Sequence, residues 1–375
     1  AHFRDAAALR ERLGDARGAA GSLRNLAWVD AVGGRHADAD ATLAEARRLA
    51  SAMDDPALEA DIATDAGLMA EERGLWTKAL GHYREALSMR RALGQLEGVG
   101  EASLNLGFAL VQTGSFADAR SLFEEAERIS TGTGDRIGRV RSLHALASLD
   151  LRADAIDAAA ARIEQAMHLA TETNLVPVRA VLHVEQSRIA RRSGDLALAR
   201  RELRAAETLF EQGGDARGLA QVRLELAQVH IDAADPDRAD AVLQVFNFSE
   251  PPSEEQRALL DVRRGEVARL RGKTAEAKRR ADAALGRAIE SGSLPARIEA
   301  RLLLARLQPS AATFRTLDED LKRFPAGEYA FERRLVEIAL GSSGASAYAA
   351  PETTAALARH RSREPALHEA GVLAL

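Results

Sequence analysis

Along most of the chain, apolar residues fall three, four and seven places apart, the spacing of one helical face. A Gly, Asp or Asn interrupts the pattern about every twenty residues. The stretch from Gly100 to Asp135 shows the unit most clearly. Leu106 and Gly107 sit midway along one helical pattern, and Gly114 breaks it. Phe116, Ala119, Phe123 and Ala126 set out a second face, and Gly134-Asp135 closes the unit. Two amphipathic helices joined by a tight turn are therefore predicted here.

Stepping by 40 from Gly114 reaches Gly34, Gly74, Asp154, Gly194 and Ala234, and a step of 38 then reaches Gly272. Each falls between two predicted helices, where the left-handed conformation is expected. Five residues later stand Ala39, Ala79, Ala119, Ala159, Ala199, Ala239 and Ala277. A small residue at one fixed place predicts a close crossing of two helices. Leu43, Tyr83, Phe123, Ile163, Leu203, Leu243 and Ala281 follow, then Ala46, Ala86, Ala126, Ala166, Ala206, Phe246 and Ala284, all on the same face. The first helix of each unit carries a large residue followed by a small one: Leu26-Ala27, Ala66-Gly67, Leu106-Gly107, Leu146-Ala147 and Leu226-Ala227. Gln186-Ser187 and Arg264-Gly265 depart from this, so repeats five and seven are expected to pack less typically. Gly14-Asp15, Asp54-Asp55, Gly94, Gly134-Asp135, Asn174 and Gly214-Asp215 mark the unit boundaries. Each Asp there is a natural N-cap, and Pro56 and Pro177 suit a first helical turn.

This register, held from residue 14 to about 246, resembles the tetratricopeptide repeat in its long form of about forty residues. The resemblance implies an all-α fold, an α-α superhelix of about seven to eight helix-turn-helix repeats. Residues 14–292 form seven repeats, with breaks near 54, 94, 134, 174, 214 and 254. Residues 1–13 read as the second helix of a repeat whose first helix is missing, which suggests more protein upstream; the alternative is an N-terminal cap. Asn247 to Glu255 reads as a linker around Pro251-Pro252. Residues 293–340 read as a degenerate repeat or cap, including a helix from Phe331 to Leu340, and 341–375 as a flexible linker and a tail.

Composition agrees. Hydrophobic residues make up 46% of the 375 but aromatics only 4%, so the core is built of alanine and leucine. No apolar run is long enough to cross a membrane and no signal peptide opens the chain. Cysteine is absent, which excludes disulfides and thiolate metal sites and fits a cytoplasmic protein. A net charge of −5 argues against non-specific nucleic-acid binding. The Arg runs at 188–204 and 263–287 are interleaved with acids. The basic residues are nearly all Arg, with Lys only at 78, 273, 278 and 322; with so much Ala this matches the codon bias of a high-GC, bacterial genome.

Chemical motifs are scarce. Gly272-Lys273-Thr274 has the ending of a phosphate-binding loop, but position 267 is Val where the loop needs Gly. Gly132, Gly134 and Gly138 miss the dinucleotide spacing and follow no strand. No two of the nine His residues stand at the spacing of a helical zinc site. No nucleophile sits beside a plausible base, and pairs such as Glu71-Glu72 have no apolar pocket around them. No catalytic residue, metal or cofactor is expected, and the chain reads as non-enzymatic.

Binding is what the resemblance implies. In tetratricopeptide arrays the first helices line the concave side, where extended peptides or helices lie. On that register the groove comprises Asn25 and Trp28 in repeat one; Asp61, Asp65, Leu68 and Glu72 in repeat two; Asn105, Phe108 and Gln112 in repeat three; Arg141 and His144 in repeat four; Arg188 and Arg192 in repeat five. It is expected to be acidic in repeat two and basic in repeats four and five, with an apolar stripe of Trp28, Leu68 and Phe108. Asn105, and Asn25 at the equivalent place, are suited to hold a peptide backbone. Alternatively, the aromatics pack against neighbouring repeats and the charges are merely solvated. The carboxylate clamp of chaperone-binding repeats is not expected, because Thr64, Leu68 and Ala145 do not fit it.

The resemblance extends to arrays at the C-terminal ends of bacterial signalling proteins: STAND-type ATPase regulators, transcriptional activators and Ser/Thr kinases. It implies a protein or peptide partner, or an effector domain of the same polypeptide. Rival readings are the non-catalytic part of a multidomain enzyme, such as a kinase, STAND ATPase or caspase-like peptidase, and a receptor for a signalling peptide. Homodimerisation through the exposed ends, 1–13 or 325–375, is a further option.

Overall fold

The computed structural model describes residues 2–245 and 254–323, together with 332, 333 and 336. The expectations for the linker at Pro251-Pro252, the helix from Phe331 to Leu340 and the tail from 341 onward lie outside these residues or almost wholly so. Among the described residues every regular element is an α-helix. Helix α1 is His2–Arg12. Seven pairs follow: α2 Ala16–Val32 with α3 His36–Ala52, α4 Pro56–Glu72 with α5 Trp76–Ala92, α6 Leu96–Thr113 with α7 Phe116–Thr133, α8 Arg136–Arg152 with α9 Ile156–Glu172, α10 Val176–Ser193 with α11 Leu196–Gly213, α12 Ala216–Asp232 with α13 Pro236–Gln244, and α14 Glu254–Leu270 with α15 Thr274–Glu290. An eighth, shorter pair is α16 Leu294–Leu307 and α17 Ala311–Leu321.

The turns repeat with half the period of the pairs. Positive φ occurs at Gly14, Gly34, Asp54, Gly74, Gly94, Gly114, Gly134, Asp154, Asn174, Gly194, Gly214 and Ala234, then at Gly272 and Gly292. After most of these left-handed positions the next residue reaches back to close the previous helix. Ser115 N, for example, donates to Leu110 O at 2.9 Å, and Asp195 N to Ala190 O at 2.9 Å. Several of these residues then cap the next helix. Asp15, Asp55, Asp135, Asp195, Asp215 and Asp235 each accept the backbone N–H three places on, at 2.8–3.1 Å. A connection within this register therefore takes only two or three residues, and an Asp at its end serves both the helix it closes and the one it starts. Ala234, at φ 54, holds a conformation that costs an L-residue with a side chain about 1–2 kcal/mol.

Burial follows the sequence register. The seven fixed alanines, from Ala39 to Ala277, are all buried, as are Leu43, Tyr83, Phe123, Ile163, Leu203 and Leu243. The large-small pair has a steric reason. A Cβ added to Gly67 would stand 2.4 Å from Tyr83 Cε1, and one on Gly107 would stand 2.3 Å from Phe123 Cε1. Where the second helix offers an aliphatic residue at that place, as with Leu43 and Ile163, the first helix carries Ala27 or Ala147 instead. In repeats one to four glycine appears where an aromatic ring must be received and alanine where it need not be.

Each first helix packs on its own partner, on the preceding second helix and on its nearest first helix. Helix α2 touches α4, and α6, α8, α10, α12, α14 and α16 touch in succession. The first helices thus form the inner layer of the curve and the second helices the outer layer. The curve is tight enough to bring distant repeats together. Helix α16 reaches α6, and Ile298 and Leu302 of α16 share one apolar cluster with Leu104, Leu110, Leu146 and Leu149. A Cβ on Gly74 would lie 3.9 Å from Ser291 Cβ. Arg217, at the start of α12, pairs with Glu72, at the end of α4, at 3.4 Å. The superhelix closes on itself, with α16 of its last described pair seated against α6 of repeat three.

Candidate functional site

The inner layer presents two kinds of surface. In repeats one to three it is partly apolar and partly open. Trp28 is half-buried against the N-terminal core, and Leu68 and Phe108 pack half-buried against the central one. The Phe108 ring lies 5.2 Å from that of Phe123, tilted by 54°. Asn25 is exposed and shares with Trp28, Arg24 and Asp65 a shallow pocket of about 370 Å³.

From repeat five onward the inner layer is ionic. Arg188 Nε donates to Glu225 at 2.7 Å and Arg188 Nη1 to Glu185 at 2.6 Å. Arg191 donates to Asp232 at 3.0 Å, Arg263 to Glu299 at 2.6 Å and Arg306 to Glu266 at 2.7 Å. These partners, Glu185 excepted, stand 36 to 41 residues apart, close to one repeat, so the ion pairs run between neighbouring first helices. Burial alone would raise the Glu185 carboxyl. The Arg188 charge and the nearby His144, whose Nε2 is 3.4 Å away, outweigh it and hold the group at about 2. Glu299, on α16, is likewise held below the usual range despite burial, by Arg263 and by Arg191 and Arg188 of repeat five.

The same pairing engages most of the charges assigned to the groove. Arg24 takes Asp65 at 2.5 Å and Asp61 at 3.1 Å, and Asp61 also pairs with Arg90. Glu72, exposed, pairs with Arg217. Asn105 is buried, and its Oδ1 accepts from Arg141 Nη2 at 3.1 Å. His144 faces Glu185, and Arg192 is half-buried. Gln112 is half-buried and its Oε1 has no partner among the described residues. The acidic patch of repeat two and the basic patch of repeats four and five therefore sit opposite their own neighbours. The sequence reading weighed charges facing a ligand against charges facing water; the structure places them against the adjacent repeat.

Sequence reasoning missed a cleft of about 1000 Å³ between the N-terminal ends of α6 and α8 and the C-terminal end of α7. Leu104, Ala126 and Ile129 line it, with Gly98, Gly100 and Gly138 along its walls and Leu96 and Ile137 at its rim. Gly100 stands where other repeats have Ala20, Ala60, Val140, Ala180 and Ala220, and a Cβ there would touch Ile129 at 3.4 Å. Leu96 is 60% exposed and Ile137 52%. The available signal was a break in the repeat: at the place of Ile137, other units carry Arg17, Ala57, Glu97, Pro177 and Arg217.

Among the described residues no group of three or more His, Asp or Glu is placed to hold a metal ion. No helix there is long and apolar enough to cross a membrane.

Residues 58–131 and 98–172 match the family model of the tetratricopeptide repeat. No curated protein matches the chain. Among solved structures, it is similar to a Rap protein complexed with competence and sporulation factor (14% identity, 70% of this chain and 76% of that one, TM-score 0.48). It is also similar to the apo form of RapI (13% identity, 81% and 86%, TM-score 0.48). A third is Naa15/Naa10 bound to HypK-THB (14% identity, 99% and 72%, TM-score 0.29). The matched span runs from the first turn of α4 to the end of α9. Residues 58–172 are thus tetratricopeptide repeats, and the same helix pair, left-handed turn and buried alanine recur before and after them.

Proposed function

We propose that this chain is a non-enzymatic interaction module that binds a protein or peptide segment through the inner layer of its first repeats. The observation that carries the proposal is the division of that layer. Ion pairs between repeats engage the inner side chains of repeats five to eight, whereas Asn25 and Trp28 in repeat one and the cleft beside repeat three keep accessible polar and apolar groups together. Apolar anchors beside polar groups are what a binding surface requires. A cytoplasmic scaffold or sensor array, regulating an effector domain within a larger bacterial signalling protein, is the setting that fits the repeat form and the Arg-rich composition. The test is affinity capture from the native proteome with the purified chain, beside an Asn25→Ala/Trp28→Ala variant and the two cleft variants named below. A partner captured by the parent and lost by a folded variant supports the module. Equal capture by all of them moves the function to the outer layer. No capture sinks the reading of a separate partner.

A further inference from the structure

The cleft between α6 and α8 has an uneven charge. Both arginines that line it are engaged: Arg90 with Gln95 and Asp61, and Arg141 with Asn105. Asp135 caps α8, accepting from Gly138 N at 3.0 Å. Glu97 and Glu101, one helical turn apart on α6, are exposed and have no ion-pair or hydrogen-bond partner among the described residues. Many inner carboxylates are matched to arginines, and Glu71 and Glu255 accept from Tyr83 and Ser293 instead, whereas this edge keeps two exposed carboxylates with neither kind of partner among the described residues. Beside them lies an apolar floor of Leu104 and Ile129, flanked by the exposed Leu96 and Ile137.

We propose that this cleft docks a basic, aliphatic segment of a partner protein, one that buries a Leu- or Ile-sized side chain on the floor and sets Lys or Arg against Glu97 and Glu101. Burial of the anchor supplies affinity, because Leu96 and Ile137 would leave water with it. The unmatched carboxylates supply selection, because an acidic segment would face two like charges across a narrow gap. Gly100 makes room for the anchor where the other repeats carry a methyl or more. The proposal rests on the reading of the chain as an interaction module and names the site and partner chemistry within it.

The experiment measures fluorescence anisotropy of a short fluorescein-labelled peptide of alternating Leu and Arg against the full chain, with a Leu/Glu peptide as its counterpart. The Leu/Arg peptide is expected to bind saturably and to weaken as salt rises, and the Leu/Glu peptide is expected not to bind. A Glu97→Lys/Glu101→Lys variant, and separately Ile137→Asp, are each expected to weaken binding at least tenfold. All three positions are exposed, and unchanged thermal melting would verify the fold. Equal binding of both peptides, no saturable binding, or binding that survives both variants overturns the proposal. Loss of binding in Trp28→Ala with the cleft variants unaffected overturns it too, while leaving the interaction module intact at the other pocket. If the parent also captures nothing from the proteome, the module itself fails with it.

Discussion

Repeats one to three and repeats five to eight share one backbone plan and differ in what they put on its inner face. The position held by Trp28, Leu68 and Phe108 in the first half is held by Arg188 and Gln228 in the second. Gln228 donates to Asp232 at 2.7 Å, and Arg188 bridges Glu185 and Glu225. An equivalent place on the helix thus carries half-buried apolar side chains in one half and internal polar pairing in the other. A charged residue on a concave register is accordingly no sign of a ligand until its neighbour one repeat away has been inspected.

The largest effect expected from this contrast comes from Arg188→Ala. It strands Glu185 and Glu225 inside the curve and should cost about 3–5 kcal/mol in chemical denaturation. Trp28→Ala, at a half-exposed place, should cost about 1–2 kcal/mol. Comparable losses would erase the distinction between the halves.

Next comes acid. The folded-state value of Glu185 is depressed to about 2 from an ordinary 4.5. Its contribution is therefore complete above 4.5 and is lost as pH falls towards 2. The size is about 3 kcal/mol. Denaturation across that pH range should show the stability gap between the parent and Glu185→Gln closing on the acid side. A gap that stays constant would mean that the carboxylate does not titrate with folding.

Within the first half, Gly107→Ala drives a methyl into Phe123 and should cost about 1–3 kcal/mol. Phe123→Leu made together with it should recover part of the loss, which a double-mutant cycle would measure. Simple additivity would remove the ring as the cause. Smallest is the link between the halves. Glu72→Gln breaks an exposed pair with Arg217 and should change stability by less than about 1 kcal/mol, vanishing at high salt.

Much of this architecture was legible in residue order. The turns announce themselves through Gly, Asp and Asn, and Ala234 was readable only because the period pointed to it. The fixed alanines and the Leu106-Gly107 pair carry the packing. The Arg188–Glu225 and Arg191–Asp232 matches were present in the sequence as well, at a separation close to the repeat length. They pass unnoticed when each repeat is read as an isolated strip of groove. Closure was not legible. It results from a small rotation per repeat accumulated over several repeats, and no single residue encodes it. The cleft fell between, since Leu96, Gly100 and Ile137 are each unremarkable until α6 and α8 are set side by side.

The contact of α16 with α6 changes how this molecule should come apart. An open stack of repeats behaves as a line of nearest neighbours, free to fray from either end while the middle persists. Joining a late repeat to an early one turns that line into a loop. Release of the last pair would strip apolar packing from α6 of the third repeat, so damage at one end is felt at once near the other. Heat or a pulling force should therefore meet a single cooperative body where an unjoined array would peel away unit by unit.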